Sequence, residues 1–144
     1  MKNNRIVIDT NVFISAIIGN SGYPYQIFKE LIASGSFQVC LSEQLLDEYR
    51  GVARREKFNR YAGFQKRAEE LLHFLENMAL MVYPTRTFSI LDDDPDNRLL
   101  EIAVEADAYA IVTGNFRDFD FLSFENVRIF SPAAFYEAVA SEKA

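Results

Sequence analysis

Five short apolar segments recur along the chain of 144 residues, and helical periodicity fills most of the sequence between them. Such continuous apolar or β-branched segments are typical of strands that are buried on both faces of a parallel sheet. Their alternation with helices predicts an α/β fold in which helices cover both faces of a central parallel sheet. The predicted strands are Arg5 to Ile8, Phe37 to Leu41, Leu80 to Tyr83, Tyr109 to Thr113 and Val127 to Phe130.

Helical segments fill the gaps between these strands and follow the last of them. Two carry ordinary start signals, because Ser42 is a candidate N-cap residue and Ser131 is followed by Pro132 in the first turn. No repeat, low-complexity tract or linker divides the sequence, so residues 1–144 are predicted to form a single domain. The predicted helices are 10–18, 24–34, 42–55, 59–79, 96–106 and 132–140.

The composition narrows the chemistry that the chain can perform. A single cysteine, Cys40, excludes an internal disulfide and a cysteine-rich zinc site. The single histidine, His73, lies in a helical pattern and leaves no Ser-His-Asp or two-histidine site unless it is itself the partner. The N-terminus does not resemble a signal peptide, and no apolar run approaches the roughly 20 residues that span a bilayer. We therefore expect a cytoplasmic protein that does not contact a membrane.

Charge is distributed unevenly along the chain. The formal net charge of −6 argues against a protein that coats nucleic acid non-specifically. Basic residues nevertheless concentrate in residues 50–67, where Glu56 is the single acid. This stretch is either a solvated helix face or a phosphate-binding surface. Its basic residues are Arg50, Arg54, Arg55, Lys57, Arg60, Lys66 and Arg67.

Asp9 ends the first predicted strand. A charged group rarely ends a buried strand without a partner. In parallel α/β sheets, ligands bind beyond the carboxyl ends of the strands, so Asp9 stands where a site is expected. The alternative is that Asp9 only caps the helix that begins at Thr10.

Helical geometry, at roughly 100° per residue, selects a second acid. In the helix from Ser42, Glu48 lies about 60° from Leu45, at the border of the apolar arc. Glu43 and Asp47 fall on the opposite side. Glu48 is therefore expected to point toward the domain, either into a site or onto an arginine at the edge of the core.

The same geometry selects Asp96 as a third acid. Asp96 precedes two leucines by three and four residues, so it lies in the middle of the inward arc at the start of its helix. Glu101 and Glu105 are predicted to face away. The alternative for Asp96 is an acid that stabilises the positive end of the helix dipole.

Three converging carboxylates without His or Cys predict an oxygen-ligand site for Mg²⁺ or Mn²⁺. A metal in such a site serves phosphate chemistry, because it neutralises charge on the scissile phosphate and lowers the pKa of a bound water. A shared cation also explains why acids that repel each other can be buried together.

Four segments of the sequence resemble the PIN domain family, specifically the toxins of bacterial toxin-antitoxin pairs. They are "VIDTNVFISA", the "LLDEY" that carries Glu48, "DPDNRLLEIAVEADAYAIVTGN" and the "FRDF" that follows. Their order and spacing extend the similarity from Arg5 to about residue 138. The resemblance implies a three-layer α/β/α sandwich with a central parallel sheet and a metal-dependent ribonuclease site. It also implies a homodimer that is blocked by an antitoxin protein.

The resemblance assigns the family's three acids to Asp9, Glu48 and Asp96, the residues that helical geometry also selects. Thr10 and Asn11 match the family's "DTN", and Thr113 and Gly114 match its "TG" turn, which gives these four residues supporting roles.

The sequence departs from the family after that turn. The family often has an aspartate there, whereas this chain has Asn115, with Asp118 three places later. Asn115 is predicted to contribute a carbonyl ligand or to position water, and Asp118 is an alternative fourth metal ligand. An amide brings no negative charge, so the number of bound metals, one or two, stays open.

These observations predict a Mg²⁺- or Mn²⁺-dependent endoribonuclease, and the resemblance implies that cleavage leaves a 5′-phosphate and a 3′-hydroxyl. The basic stretch directly follows Glu48, so Arg50, Arg54, Arg55 and Arg60 are predicted to contact the RNA backbone. The alternative is a PIN-like fold with weak or no catalysis that binds nucleic acid or protein. A phosphatase or response-regulator-like protein is disfavoured, because no lysine follows the strand from Tyr109 to Thr113.

Overall fold

The computed structural model describes residues 3–114 and 123–143, which form a three-layer α/β/α arrangement around a six-stranded sheet. The order across the sheet is β3-β2-β1-β4-β6-β5, and all neighbours are parallel except β5 and β6. The predicted three-layer α/β/α fold is confirmed, and its sheet is parallel as predicted except at the edge strand β5. The strands are β1 (Arg5–Ile8), β2 (Gln38–Leu41), β3 (Leu80–Met81), β4 (Ala110–Val112), β5 (Ser123–Phe124) and β6 (Val127–Phe130).

Helices flank this sheet. In the described part of the chain, no helix is both long and apolar enough to cross a bilayer. The α-helices are α1 (Thr10–Ile18), α2 (Tyr23–Gln26), α3 (Glu43–Ala53), α4 (Phe64–Met78), α5 (Asp94–Glu105) and α6 (Pro132–Lys143), with a π-helical segment (Ile27–Ile32) and a 3₁₀ segment (Glu56–Arg60).

Two predicted helices are interrupted, and one strand was not predicted. The expected helix 24–34 passes from α2 into the π-helical segment, and the expected helix 59–79 begins only after Gly63. Gly63 has a φ of 73°, a left-handed conformation that cannot continue a helix. The two residues of β5 are too few for a periodic pattern, and the positive φ angles of Glu125 and Asn126 turn the chain back into β6.

The centre of the sheet is buried on both faces. Consecutive residues of a strand point to opposite faces, yet Ile6, Val7 and Ile8 of β1 are all completely buried. The same holds for Ala110, Ile111 and Val112 of β4. The continuous apolar runs in the sequence therefore reflect two covered faces.

Polar side chains of α5 hold the loop that precedes it. The buried Asn97 amide accepts a hydrogen bond from the Leu91 N–H (2.9 Å) and donates one to the Leu91 carbonyl (3.0 Å). Glu101 accepts from the Phe88 N–H (2.8 Å) and from the Arg98 guanidinium (2.6 Å). The expectation that Glu101 faces away is wrong, because its carboxylate satisfies a buried backbone N–H of this loop.

Replacing Asn97 with Ala should lower the free energy of unfolding by about 1–3 kcal/mol, because a buried N–H and a buried carbonyl lose their partner. Urea unfolding measures the change. The control is Asn77→Ala on α4, whose exposed side chain, among the residues that the structure describes, bonds to His73 of its own helix alone, and we expect a change within about 0.5 kcal/mol. Equal effects of the two substitutions would contradict the loop-holding role of Asn97.

Candidate active site

The topology of the sheet creates a crevice at the ends of β1 and β4. From β1 the chain passes to β2 and then β3 on one side of the sheet. It later returns to the other side of β1, where β4 pairs with it. Ligands of open α/β sheets bind beyond the carboxyl ends of the strands at such a switch point. Asp9 directly follows β1 and Thr113 directly follows β4, and the Asp9 N–H bonds to the Val112 carbonyl at 3.0 Å.

The Asp9 side chain points across this crevice. Asp9 occupies the N-cap position of α1, but its carboxylate makes no capping hydrogen bond. Instead, the fully buried Thr113 donates its hydroxyl to the Asp9 carboxylate at 2.7 Å. The alternative that Asp9 is only a helix cap therefore does not describe its side chain.

Glu48 approaches the same crevice from α3. Its carboxylate accepts a hydrogen bond from the hydroxyl of Thr10, the buried residue that follows Asp9. Glu48 as a whole is exposed, so it lies further into solvent than the border of the apolar arc suggests. Glu43 and Asp47 are also exposed, but in the described residues Glu48 is the one acid of α3 that bonds to α1.

Tyr49 lies behind these two acids and is completely buried. Its ring stacks on Phe13 of α1, with centroids 4.3 Å apart and planes 6° apart, and its hydroxyl donates to the Ile8 carbonyl. Burial raises the pKa of Tyr49 well above its ordinary value, and the negative charges of Asp9 and Glu48 raise it further. Both carboxylates are therefore near one phenol, which stays protonated.

Asp96 lies in the first turn of α5 and is 4% exposed, as its place in the inward arc predicts. Two residues from its own turn, Asp94 and Pro95, line a small cleft of about 110 Å³ together with Glu48. The start of α5 and the middle of α3 therefore face each other next to the crevice. Asp96 also stands in the first turn of α5, where an acid stabilises the positive end of the helix dipole, as the alternative interpretation predicts.

The oxygen ligands that these residues offer match a hard divalent cation, but the described residues do not surround a cation closely. Among residues 3–114 and 123–143, no three His, Cys, Asp or Glu side chains are gathered closely enough to hold a metal ion. Mg²⁺ commonly binds through one or two carboxylates, with water and substrate phosphate completing its shell. Asp9 and Glu48 suit this incomplete type of site, because both offer carboxylate oxygens that neighbouring threonines orient.

Other predicted site residues are placed less directly. Asn11 is exposed in the first turn of α1, and Gly114 is exposed directly after Thr113. Asn115 and Asp118 lie outside the described residues.

The predicted RNA-contacting residues differ in their surroundings. Arg50 is committed to ion pairs with Glu76 of α4 and with Asp47 of its own helix. Arg60 lies over the ring of Tyr61, with 5.1 Å from its guanidinium carbon to the ring centroid. Arg54 and Arg55 are exposed where α3 ends, and in the described structure they make no ion pair.

A PIN domain model matches residues 5–117, which is most of the chain. The chain belongs to the PIN domain family. PIN domains are generally nucleases and typically use divalent metals. The chain is also similar to an uncharacterised protein of Methanocaldococcus jannaschii, with 32% identity over 111 residues that cover 77% of this chain and 70% of that protein.

Tyr49 lies beside the candidate site, and the apolar pattern of α3 conceals the role of its hydroxyl. It occurs among the apolar residues of the α3 arc, where a tyrosine reads as part of the core. The available signal is that a tyrosine carries a hydroxyl into that core and that this residue directly follows Glu48.

Alkaline pH should destabilise the wild type more steeply than Tyr49→Phe. The unfolded tyrosine ionises near pH 10, whereas the folded Tyr49 keeps its proton because its pKa is raised. Above about pH 10, the folded protein therefore holds one proton more than the unfolded protein. The free energy of unfolding then falls as pH rises. Urea unfolding at about pH 8 and pH 11 should show a loss in the wild type that exceeds that of the variant by about 1 kcal/mol. Equal losses in the two proteins would contradict this assignment.

Proposed function

We propose that this PIN domain is an endoribonuclease that depends on Mg²⁺ or Mn²⁺ and hydrolyses RNA phosphodiester bonds. The observation that carries the proposal is that Asp9 and Glu48 both lie at the switch point of the sheet, where each accepts a hydrogen bond from a threonine hydroxyl. Two carboxylates with free acceptor capacity at a crevice suit a cation that binds phosphate.

In this proposal, Asp9 and Glu48 hold the cation, and Asp96 is the third proposed carboxylate ligand, although the described residues do not gather these three acids closely enough to hold a metal ion. When bound, a divalent cation neutralises the scissile phosphate and lowers the pKa of water for attack on phosphorus. Thr113 and Thr10 each donate a hydrogen bond to one carboxylate and so fix which oxygens remain available. Asn115 adds a carbonyl ligand or positions water, and Asp118 is the other candidate for the fourth ligand.

The exposed end of α3 is the proposed contact for the RNA backbone. Arg54 and Arg55 are exposed and make no ion pair among the described residues, so their guanidinium groups can meet phosphate, and Arg60 offers a guanidinium beside an aromatic ring. Arg50 contributes less in this scheme, because Glu76 and Asp47 already neutralise it. A local cationic surface of this kind is compatible with a net charge of −6, because Debye screening confines each charge to about 10 Å.

The toxin role, an antitoxin protein, a homodimer and a cytoplasmic location also belong to the proposal. They rest on the sequence resemblance and on large apolar side chains that remain exposed in the described residues. These are Tyr23, Met78, Tyr83 and Ile90.

One observation favours a second candidate, a PIN-like binding module with weak or no catalysis. The described residues contain no three-acid cluster of metal-binding geometry. Such a module would bind RNA or protein without cutting it, so metal-dependent cleavage separates the two candidates.

Asp9→Asn and Glu48→Gln should each reduce Mn²⁺-dependent RNA cleavage by at least about 100-fold while the protein stays folded, because each removes a ligand charge without a large change of shape. Cleavage of a structured RNA by the purified proteins measures the loss, and urea unfolding checks the fold.

The matched control for Glu48 is Glu43→Gln on the same helix, whose exposed carboxylate has no bond to α1 in the described structure. Cleavage by Glu43→Gln should equal that of the wild type. If Asp9→Asn and Glu48→Gln also cut at the wild-type rate, the proposed site is wrong. If the wild type does not cut at all, the binding module is favoured.

Charge reversal in Arg54→Glu or Arg55→Glu should weaken RNA binding and lower the salt dependence of the binding constant by about one ion per substitution. Fluorescence anisotropy at several salt concentrations measures both quantities. Lys29→Glu, an equal change of charge on the π-helical segment, serves as the control for net charge. If all three variants lower the salt dependence equally, Arg54 and Arg55 do not contact RNA specifically, and the end of α3 is a solvated helix face.

A further inference from the structure

Tyr49 carries a buried hydroxyl that the proposed chemistry leaves without a role. Its ring is completely buried, and its hydroxyl donates to a backbone carbonyl rather than to either carboxylate. A phenylalanine would fill the same space and keep the ring stack on Phe13. The hydroxyl therefore needs an explanation of its own.

The hydroxyl joins the two segments that carry the acids. Its acceptor, the carbonyl of Ile8, belongs to the residue directly before Asp9, and Tyr49 itself directly follows Glu48. One side-chain hydrogen bond thus connects α3 to the end of β1. On each of these two elements, the bonded residue is the direct neighbour of one of the acids. The burial of this bond excludes water as a competing partner, which makes its loss costly.

Other contacts fix the rest of this junction. The Phe13 ring lies parallel to Tyr49 and holds α1 against α3. The Thr10 hydroxyl crosses the same boundary to reach Glu48. The stack can slide in its plane, because offset rings attract over a range of positions. The Tyr49 hydrogen bond to a backbone carbonyl does not allow such sliding.

We propose that the Tyr49 hydroxyl is a positioning device that sets the separation of the Asp9 and Glu48 carboxylates by tying α3 to the end of β1. This inference rests on the proposed function, because the separation matters only if both carboxylates bind one cation. Tyr49 touches neither cation nor RNA in this scheme, so it acts through the two acids.

Tyr49→Phe tests the proposal, because it removes the hydroxyl and keeps the ring. Calorimetric titration of the RNA-free protein with Mn²⁺ should show a dissociation constant about 10-fold higher than that of the wild type. The cleavage assay should show a matching rise in the Mn²⁺ concentration for half-maximal rate, while the rate at saturating Mn²⁺ stays within about threefold. A residue that only stabilises the fold would not move the Mn²⁺ dependence.

Two controls separate positioning from stability. Phe13→Leu disrupts the stack and lowers stability but keeps the Tyr49 hydroxyl, so its Mn²⁺ dissociation constant should equal that of the wild type. Tyr136→Phe removes a surface hydroxyl that bonds to Glu30, and it should change neither quantity.

The outcomes distinguish the two proposals. If Tyr49→Phe binds Mn²⁺ as tightly as an active wild type, or if Phe13→Leu weakens Mn²⁺ binding equally, the positioning role is wrong and the proposed function stands. If the wild type binds no Mn²⁺ and cuts no RNA, the proposed function fails, and the positioning role fails with it.

Discussion

The parallel pairing of β1 with β4 is the contact on which the geometry of the candidate site depends. Ile8 lies beside Val112, so the two strands end in step and the next residues of each chain segment, Asp9 and Thr113, meet at the carboxyl edge. Because side chains of a strand alternate between faces, a slip of one residue would move one of them to the other face and break the 2.7 Å bond between them. The register is held by fully buried apolar residues on both strands. Packing in the core thus determines a polar contact at the edge.

The second constraint is the way in which α3 docks. Glu48 is exposed and contributes little to the core, so its own burial does not set its position. Its neighbour Tyr49 is completely buried, stacks on Phe13 and bonds to the carbonyl of Ile8. The buried Tyr49 therefore anchors α3 beside Glu48, and its hydroxyl is the part that ties α3 to the end of β1. Such a division is common for tyrosine, which combines a large apolar ring with one directional hydrogen bond.

The third constraint is the repulsion between the acids at this edge of the sheet. Like charges repel, and a chain with net charge −6 gains nothing from bringing acids together unless hydrogen bonds or a cation compensate them. Threonine hydroxyls compensate Asp9 and Glu48 in part, and they leave further oxygens available. The family to which the chain belongs, in which nucleases that use divalent metals prevail, supplies a natural reason for the arrangement.

The sequence by itself determined the class of fold, the position of Asp9 directly after β1 and the burial of Asp96. Strand and helix periods are local properties, so the bounds of β1, α1 and β6 match the prediction, and the place of Asp96 in an inward arc follows from helical geometry alone. The interruption at Gly63 and the two-residue β5 depend on backbone angles that periodicity does not report.

Only the tertiary structure decided the partners of the polar groups. Glu101 was expected to face away because its position on the helix is polar, but a loop that packs against α5 supplies the Phe88 N–H that its carboxylate satisfies. Tyr49 read as an apolar residue, and its hydrogen bond exists only because β1 lies next to α3 in space. The physical reason is the same in both cases. The periodicity of a helix predicts which of its faces is covered. The hydrogen-bond donors and acceptors on the covering segment come from residues that are distant in the sequence, so the periodicity does not report them.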